Sequence, residues 1–248
     1  MDAVDVVMLT KNSKRILAPC LESIYENVPV NRLVVVDAFS TDGTLPTLNE
    51  FNRRYGNVKI LSDEGSRGRA REIGIGEVET DWFMFVDSDV ILCKDWFKMA
   101  AAHIQDDVGA VWGVDVPGNV ENPLLTGVLK RMEGRVFNIR GGCHDILIRH
   151  KAVEGISIPS QLHVLEDAYI KEWITARGYK VVVSYDAYCR HYKEVGSLAS
   201  KDNRLSTVFE LKNMRLVKER LIYAGVFAFI WLIQEIENKR NPSRSLKR

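Results

Sequence analysis

The run Trp82-Phe83-Met84-Phe85-Val86 ends abruptly at Asp87-Ser88-Asp89. Five successive large apolar residues describe a buried strand, and an acidic triplet at its C-terminal end stands where open α/β sheets collect their ligands. A second run, Leu33-Val34-Val35-Val36, ends in Asp37 in the same way. Strands of this kind separated by helical stretches build βαβ units, so Asp37 and Asp87 are expected to share one edge of a largely parallel sheet. Asp87 and Asp89 repel each other and resist desolvation unless a cation compensates them. A hard divalent ion such as Mg2+ or Mn2+ does so with oxygen ligands. The same triplet also suits an ordinary strand-to-helix turn, with Asp89 near a helix start.

The pattern along the chain supports this frame. Strands are expected at 4–9, 33–36, 58–61 and 82–86, and helices at 13–26 and 66–78; Ile16, Leu17, Cys20, Leu21 and Ile24 form one apolar face of the first helix. Ser40-Thr41-Asp42-Gly43-Thr44 supplies turn and capping residues. A chain of 248 residues, 46% of them hydrophobic, buries a sizeable core as one large α/β domain with a short appendage. The balance of 34 basic against 33 acidic residues gives no global attraction to nucleic acid. Cys20, Cys93, Cys143 and Cys189 lack C-x-x-C spacing and read as free thiols in a reducing compartment. The acidic opening Met1-Asp2-Ala3-Val4-Asp5 does not read as a secretory signal, so a cytoplasmic location is expected.

Arg67, Arg69 and Arg71 fall in the first turns of the 66–78 helix. Cations at a helix N-terminus oppose the macrodipole, and a bound diphosphate would reverse that conflict by meeting backbone N–H groups, dipole and guanidinium together. The alternative is a solvated basic face paired with Asp63, Glu64 and Glu72.

Taken in order, Thr10-Lys11-Asn12, Cys20-Leu21-Glu22-Ser23-Ile24, Val35-Val36-Asp37-Ala38-Phe39-Ser40-Thr41-Asp42-Gly43-Thr44, Gly68-Arg69-Ala70-Arg71 and Asp87-Ser88-Asp89 resemble the GT-A glycosyltransferases of family 2. The resemblance implies a Rossmann-like, mixed but mostly parallel sheet flanked by helices. It also implies an inverting transfer of sugar from a UDP- or GDP-linked donor to a sugar or lipid-linked acceptor. Residues 1–198 would be the catalytic domain, with the nucleotide-sugar half at 1–92 and the acceptor half at 93–198; helices would occupy 199–248.

Carried over residue by residue, Thr10, Asn12 and Asp37 would lie at the base, Arg71 at the diphosphate, Asp87 and Ser88 at the ribose or sugar, and Asp89 at the metal. Ala38-Phe39 and Glu72 depart from the family's usual residues, which bears on base recognition and not on the metal. Leu165-Glu166-Asp167 resembles the family's acidic pair, with Asp167 the general base and Glu166 an acceptor contact; two acids at a helix start also satisfy the dipole whatever the chain does. His191 would complete the metal shell, with His144 and His163 weaker candidates. Gly141 and Gly142 would shape the sugar and acceptor pocket by letting backbone approach closely.

The last fifty residues carry an amphipathic basic stretch, then Leu221-Ile222-Tyr223-Ala224-Gly225-Val226-Phe227-Ala228-Phe229-Ile230-Trp231-Leu232-Ile233. This uncharged run is shorter than the roughly 18 to 20 residues of a membrane span. It fits an interfacial helix on a membrane face, or a helix buried on the domain or against a twin subunit. A sugar-1-phosphate nucleotidyltransferase and a non-catalytic nucleotide-sugar scaffold are the competing functions. The first lacks its Lys-containing glycine-rich loop after strand one, and the second would leave Asp167 without a role.

Overall fold

The computed structural model describes residues 3–192 except 119, 121, 141, 161 and 163–165, and for 136–140 the backbone alone. Gly141, His163, Leu165 and the expected 199–248 appendage lie outside the described residues.

The first half is a repeating strand and helix pattern. β1 (Val4–Thr10), α1 (Lys14–Asn27), β2 (Val30–Asp37), α2 (Thr44–Tyr55), β3 (Val58–Ser62), α3 (Arg67–Gly76) and β4 (Trp82–Val86) follow in turn. β5 (Val90–Leu92) and the short α4 (Trp96–Ala101) lead into the second half. There β6 (Val108–Pro117), α5 (Pro123–Arg140), β7 (Asp145–Arg149), a 3-10 turn at His150–Val153, α6 (Glu166–Ala176) and β8 (Lys180–His191) complete the order.

Eight strands form one sheet in the order β3-β2-β1-β4-β7-β6-β8-β5. β3, β2, β1 and β4 are parallel neighbours, so Asp37 and Asp87 do emerge at one edge. β7 runs antiparallel between β4 and β6, and β8 returns parallel to β6. β6 and β7 were not among the strands expected from sequence; Gly109 and Gly113 interrupt the apolar pattern of β6. Gly109 lets Tyr179 and Ile174 pack within van der Waals reach, and a Cβ at Gly113 would stand 2.0 Å from Asp145 Oδ2.

Two apolar layers cover the sheet. On one face Leu17, Cys20, Leu21 and Ile24 of α1 pack with Leu48, Trp96, Met84 and Cys189. On the other, Ile75 of α3 and Ile170 and Ile174 of α6 pack with Phe83, Phe85, Trp112 and Val183. Burial of this much apolar area, at about 25 cal/mol per Å2, is the main force holding the layers together. All four cysteines are free; Cys93 is half-buried and the other three are buried.

Candidate active site

The β1–α1 and β2–α2 loops are tied together at the sheet edge by Asp37. This fully buried carboxylate accepts from the Thr10 hydroxyl (2.6 Å), the Ser40 hydroxyl (2.6 Å) and the Ser40 N–H (2.8 Å). Asn12 holds the same junction, donating its N–H to Ser40 Oγ at 2.8 Å and accepting the Thr41 N–H on Oδ1 at 2.9 Å. Asn12 and Phe39 both have left-handed backbone, with φ of 50° and 53°. The conformation is readily reached by Asn but strained for a bulky residue. Phe39 nonetheless presents its ring to solvent, 60% exposed.

Arg69 and Arg71 of α3 divide between the two readings of the sequence. Arg69 pairs with Asp63 at 2.8 Å on the surface, while Ser66 caps the helix by accepting the Arg69 N–H. Arg71 is buried. Its Nη2 donates to Asp87 Oδ1 at 2.6 Å, Nε lies 3.8 Å from Glu166 Oε1, and the guanidinium sits 4.6 Å from the Phe85 ring centroid. Nε and Nη1 have no hydrogen-bond partner among the described residues, so a buried cation keeps donors for an anion. Glu72 turns away from this point and accepts the Ile158 N–H at 2.7 Å.

Asp87, Asp89 and His191 bring one ligand atom each to within 4.8 Å of one another. β5 and β8 make this possible, because Val90 registers with His191 and the Tyr192 N–H closes on the Asp89 carbonyl at 2.9 Å. His191 Nε2 is 3.1 Å from Asp89 Oδ1 and its Nδ1 is 2.9 Å from Asp115 Oδ2. Ser88 stands aside and shares a 2.8 Å hydrogen bond with Ser13. Burial pushes the Asp87 carboxyl up, but Arg71 and then His191 outweigh it and hold the group below the ordinary carboxylate range. Two carboxylates and an imidazole oriented from behind by a third carboxylate suit a divalent ion of the Mg2+ or Mn2+ class.

Behind this cluster lies a buried hydrogen-bond network. His144 meets Asp145 through Nδ1, Trp96 Nε1 donates to Asp145 Oδ2 at 2.8 Å, and Cys189 Sγ is 3.7 Å from His144 Nδ1. The His144 and His191 rings are 5.9 Å apart. Burial raises Asp145 against the opposing pull of His144 and Trp96; burial lowers His144, but Asp145 carries its net shift upward. The sequence alone gives no role to Asp115 or Trp96, and marks Asp145 only as the end of the turn Gly141-Gly142-Cys143-His144-Asp145. Asp115 sits inside the apolar stretch of β6 and Trp96 between Asp95 and Phe97, and only the packed strands reveal the partners of all three.

Glu166 and Asp167 open α6 and are both buried. Burial, reinforced by the Asp167 charge, pushes Glu166 up, with Arg71 opposing. Gly142 is also buried, and its carbonyl accepts the Trp112 indole N–H. No helix among the described residues is long and apolar enough to cross a membrane.

The fold is shared with a mannosyltransferase of Pyrobaculum calidifontis, solved in complex with GDP-Man and Mn2+. That structure superposes with a TM-score of 0.67 at 17% identity, over 90% of this chain and 68% of that one. An uncharacterized glycosyltransferase of Haemophilus influenzae is 22% identical over 247 residues, 93% of this chain and 94% of its own. The poly(ribitol-phosphate) beta-N-acetylglucosaminyltransferase TarS of Staphylococcus aureus is 31% identical over 107 residues, 41% of this chain and 18% of TarS. Residues 5–146, more than half of the chain, match the profile of glycosyl transferase family 2, and with the GT-A sheet in place the protein belongs to that family and is a glycosyltransferase.

Proposed function

We propose that the protein is a metal-dependent, inverting glycosyltransferase that takes its sugar from a UDP- or GDP-linked donor. The observation that carries this reading is the convergence of Asp87, Asp89 and His191 beside Arg71. Asp89 and His191 would hold Mg2+ or Mn2+, with Asp87 between that site and Arg71. When bound, the ion supplies positive charge against a departing nucleoside diphosphate. Arg71 meets the same charge with its spare N–H donors, in a buried setting where each is worth more than in water. The loop joined by Thr10, Asn12 and Asp37 forms the floor of the base subsite, and Asp37 acts by fixing that floor.

Asp167 would deprotonate the acceptor as it attacks the anomeric carbon from the side opposite the leaving group. Glu166 would stand beside it as the acceptor contact, and Gly142 would line the same pocket. A structural neighbour bound to GDP-Man and Mn2+ is consistent with this donor and ion class, and a relative named for poly(ribitol-phosphate) bears on the acceptor.

The test is calorimetric titration with UDP and GDP in Mn2+ and then EDTA, on the native protein, Asp89→Ala and Asp167→Asn. Native protein and Asp167→Asn are expected to bind one nucleotide in a metal-dependent manner, Asp89→Ala to lose that binding, and Asp167→Asn to lose transfer alone. Equal binding in EDTA, or full transfer by Asp167→Asn, contradicts the assignment.

A further inference from the structure

A cavity of about 240 Å3 opens between the first turns of α5 and the end of β8, lined by Pro123, Thr126, Gly127, Lys130, Tyr188 and Arg190. Tyr188 packs into the same apolar layer as Ile170 and Ile174 of α6, whereas Cys189 belongs to the opposite layer. The cavity therefore shares a sheet face with the helix that carries Glu166 and Asp167.

The charged residues of its described lining, Lys130 and Arg190, are of one sign. Lys130 Nζ lies over the Tyr188 ring, 4.5 Å from the centroid, and pairs with no carboxylate among the described residues. Arg190 gives one N–H to the Val120 carbonyl and likewise pairs with no described carboxylate. Thr126 is 9% exposed, and its hydroxyl has no hydrogen-bond partner among the described residues. A buried hydroxyl left unpaired costs about 1–3 kcal/mol. The N-terminal end of α5 adds the positive pole of its dipole. A Cβ on Gly127 would meet nothing within 4 Å, so glycine keeps the opening clear. The volume is below the about 300 Å3 at which small-molecule pockets usually begin, which suits a single ionic group and not a nucleotide.

We propose that this cavity binds a phosphate group, monoester or diester, carried by the sugar acceptor. The inference rests on the reading of α6 as the acceptor-facing helix. Two sources share the chemistry: a phosphate on a lipid, and a phosphorylated acceptor free in solution. Lys130 and Arg190 supply charge, the Thr126 hydroxyl donates the orienting hydrogen bond, and Tyr188 holds the Lys130 side chain in place.

The experiment uses the full chain. Glycerol 3-phosphate is titrated in solution, and binding is measured to phosphatidylcholine vesicles with and without phosphatidic acid. Native protein, Lys130→Gln and Gly127→Leu are compared; the last fills the opening while keeping both cations. Native protein is expected to bind a phosphate probe, Lys130→Gln to weaken it by about tenfold, the scale of one charge-assisted hydrogen bond, and Gly127→Leu to weaken it at least as much by filling the opening. Preference for phosphatidic acid vesicles over glycerol 3-phosphate assigns a lipid source, and the reverse assigns a soluble one. UDP or GDP binding with Mn2+, measured on the same samples, should stay within about twofold because the donor groups are untouched. No phosphate binding in protein that still takes nucleotide overturns the cavity and leaves the donor reading standing, as do variants that bind phosphate like the native chain. Phosphate binding without any nucleotide binding overturns the donor reading instead.

Discussion

Replacing Arg71 by Met isolates what a buried guanidinium does for the fold. Met occupies the aliphatic volume with little cavity left behind, so the loss is electrostatic. It comprises the 2.6 Å bond to Asp87, the 3.8 Å approach to Glu166 and the 4.6 Å contact with the Phe85 ring. Removing one partner of a buried pair costs about 3–5 kcal/mol. The Asp87 side chain is 31% exposed and is partly rehydrated, which places the expectation near the lower bound, about 3 kcal/mol of the roughly 5–15 kcal/mol that holds a domain together.

The pH dependence has a definite sign. In the native protein Asp87 is held low, so its contribution is present above its unfolded pKa and is lost as pH falls through the folded value. Glu166 is raised and works the other way, adding stability as pH falls into its folded range. Without Arg71 both carboxyls rise, and acid then neutralises the two groups that the substitution stranded. Urea unfolding in EDTA, followed by intrinsic tryptophan fluorescence, should show the deficit at about pH 7.5 narrowing by more than about 1 kcal/mol at about pH 5. A deficit below about 1 kcal/mol at the higher pH, or one of equal size at both, refutes the argument.

Asp115→Asn weakens the grip that orients the His191 imidazole and should lower Mn2+ affinity by about 10- to 100-fold in an electron paramagnetic resonance titration. Unchanged affinity would remove Asp115 from the site. Phe39→Asn replaces a bulky residue at φ 53° with one that tolerates it; stability should rise by about 1 kcal/mol in urea, while nucleotide affinity falls roughly tenfold with the loss of an exposed aromatic face. A variant that binds nucleotide as tightly as the native chain excludes Phe39 from the base subsite.

The donor half was largely legible because its signals are local. The runs before Asp37 and Asp87 read as buried strands by composition alone, and expected boundaries such as 58–61 and 66–78 differ from β3 and α3 by no more than two residues at either end. The acceptor half was legible only in part: the helix opened by Glu166 and Asp167 and the strand leading to His191 were, while β6 and β7 were not. β7 reverses direction between β4 and β6, and no sequence period announces an antiparallel insertion. Asp115 and His191 meet across 76 residues of chain, and Trp96 and Asp145 across 49, so their pairings exist only once β6, β7 and β8 are aligned. The arginine cluster was ambiguous for a related reason. Depth separates Arg71 from Arg69, and depth at a helix start depends on what α6 brings against it.

β8 also keeps two sets of books on one strand. Against β6 it advances from Val183 to Tyr188 while its partner moves only from Trp112 to Val114. Five steps against two is an odd mismatch, and in a strand an odd step exchanges the faces. Val181 and Val183 therefore join the layer under α6 as odd-numbered residues, while beyond the excursion Tyr188 takes that face and Cys189 takes the other. Phase, not composition, decides that His191 meets Asp89 and that Arg190 meets the cavity beneath α5. Removing one residue from 184–187, with Val183 held against β6 and the ladder advanced by one, would carry Tyr192 to the place of the His191 imidazole and exchange the two faces of the strand end.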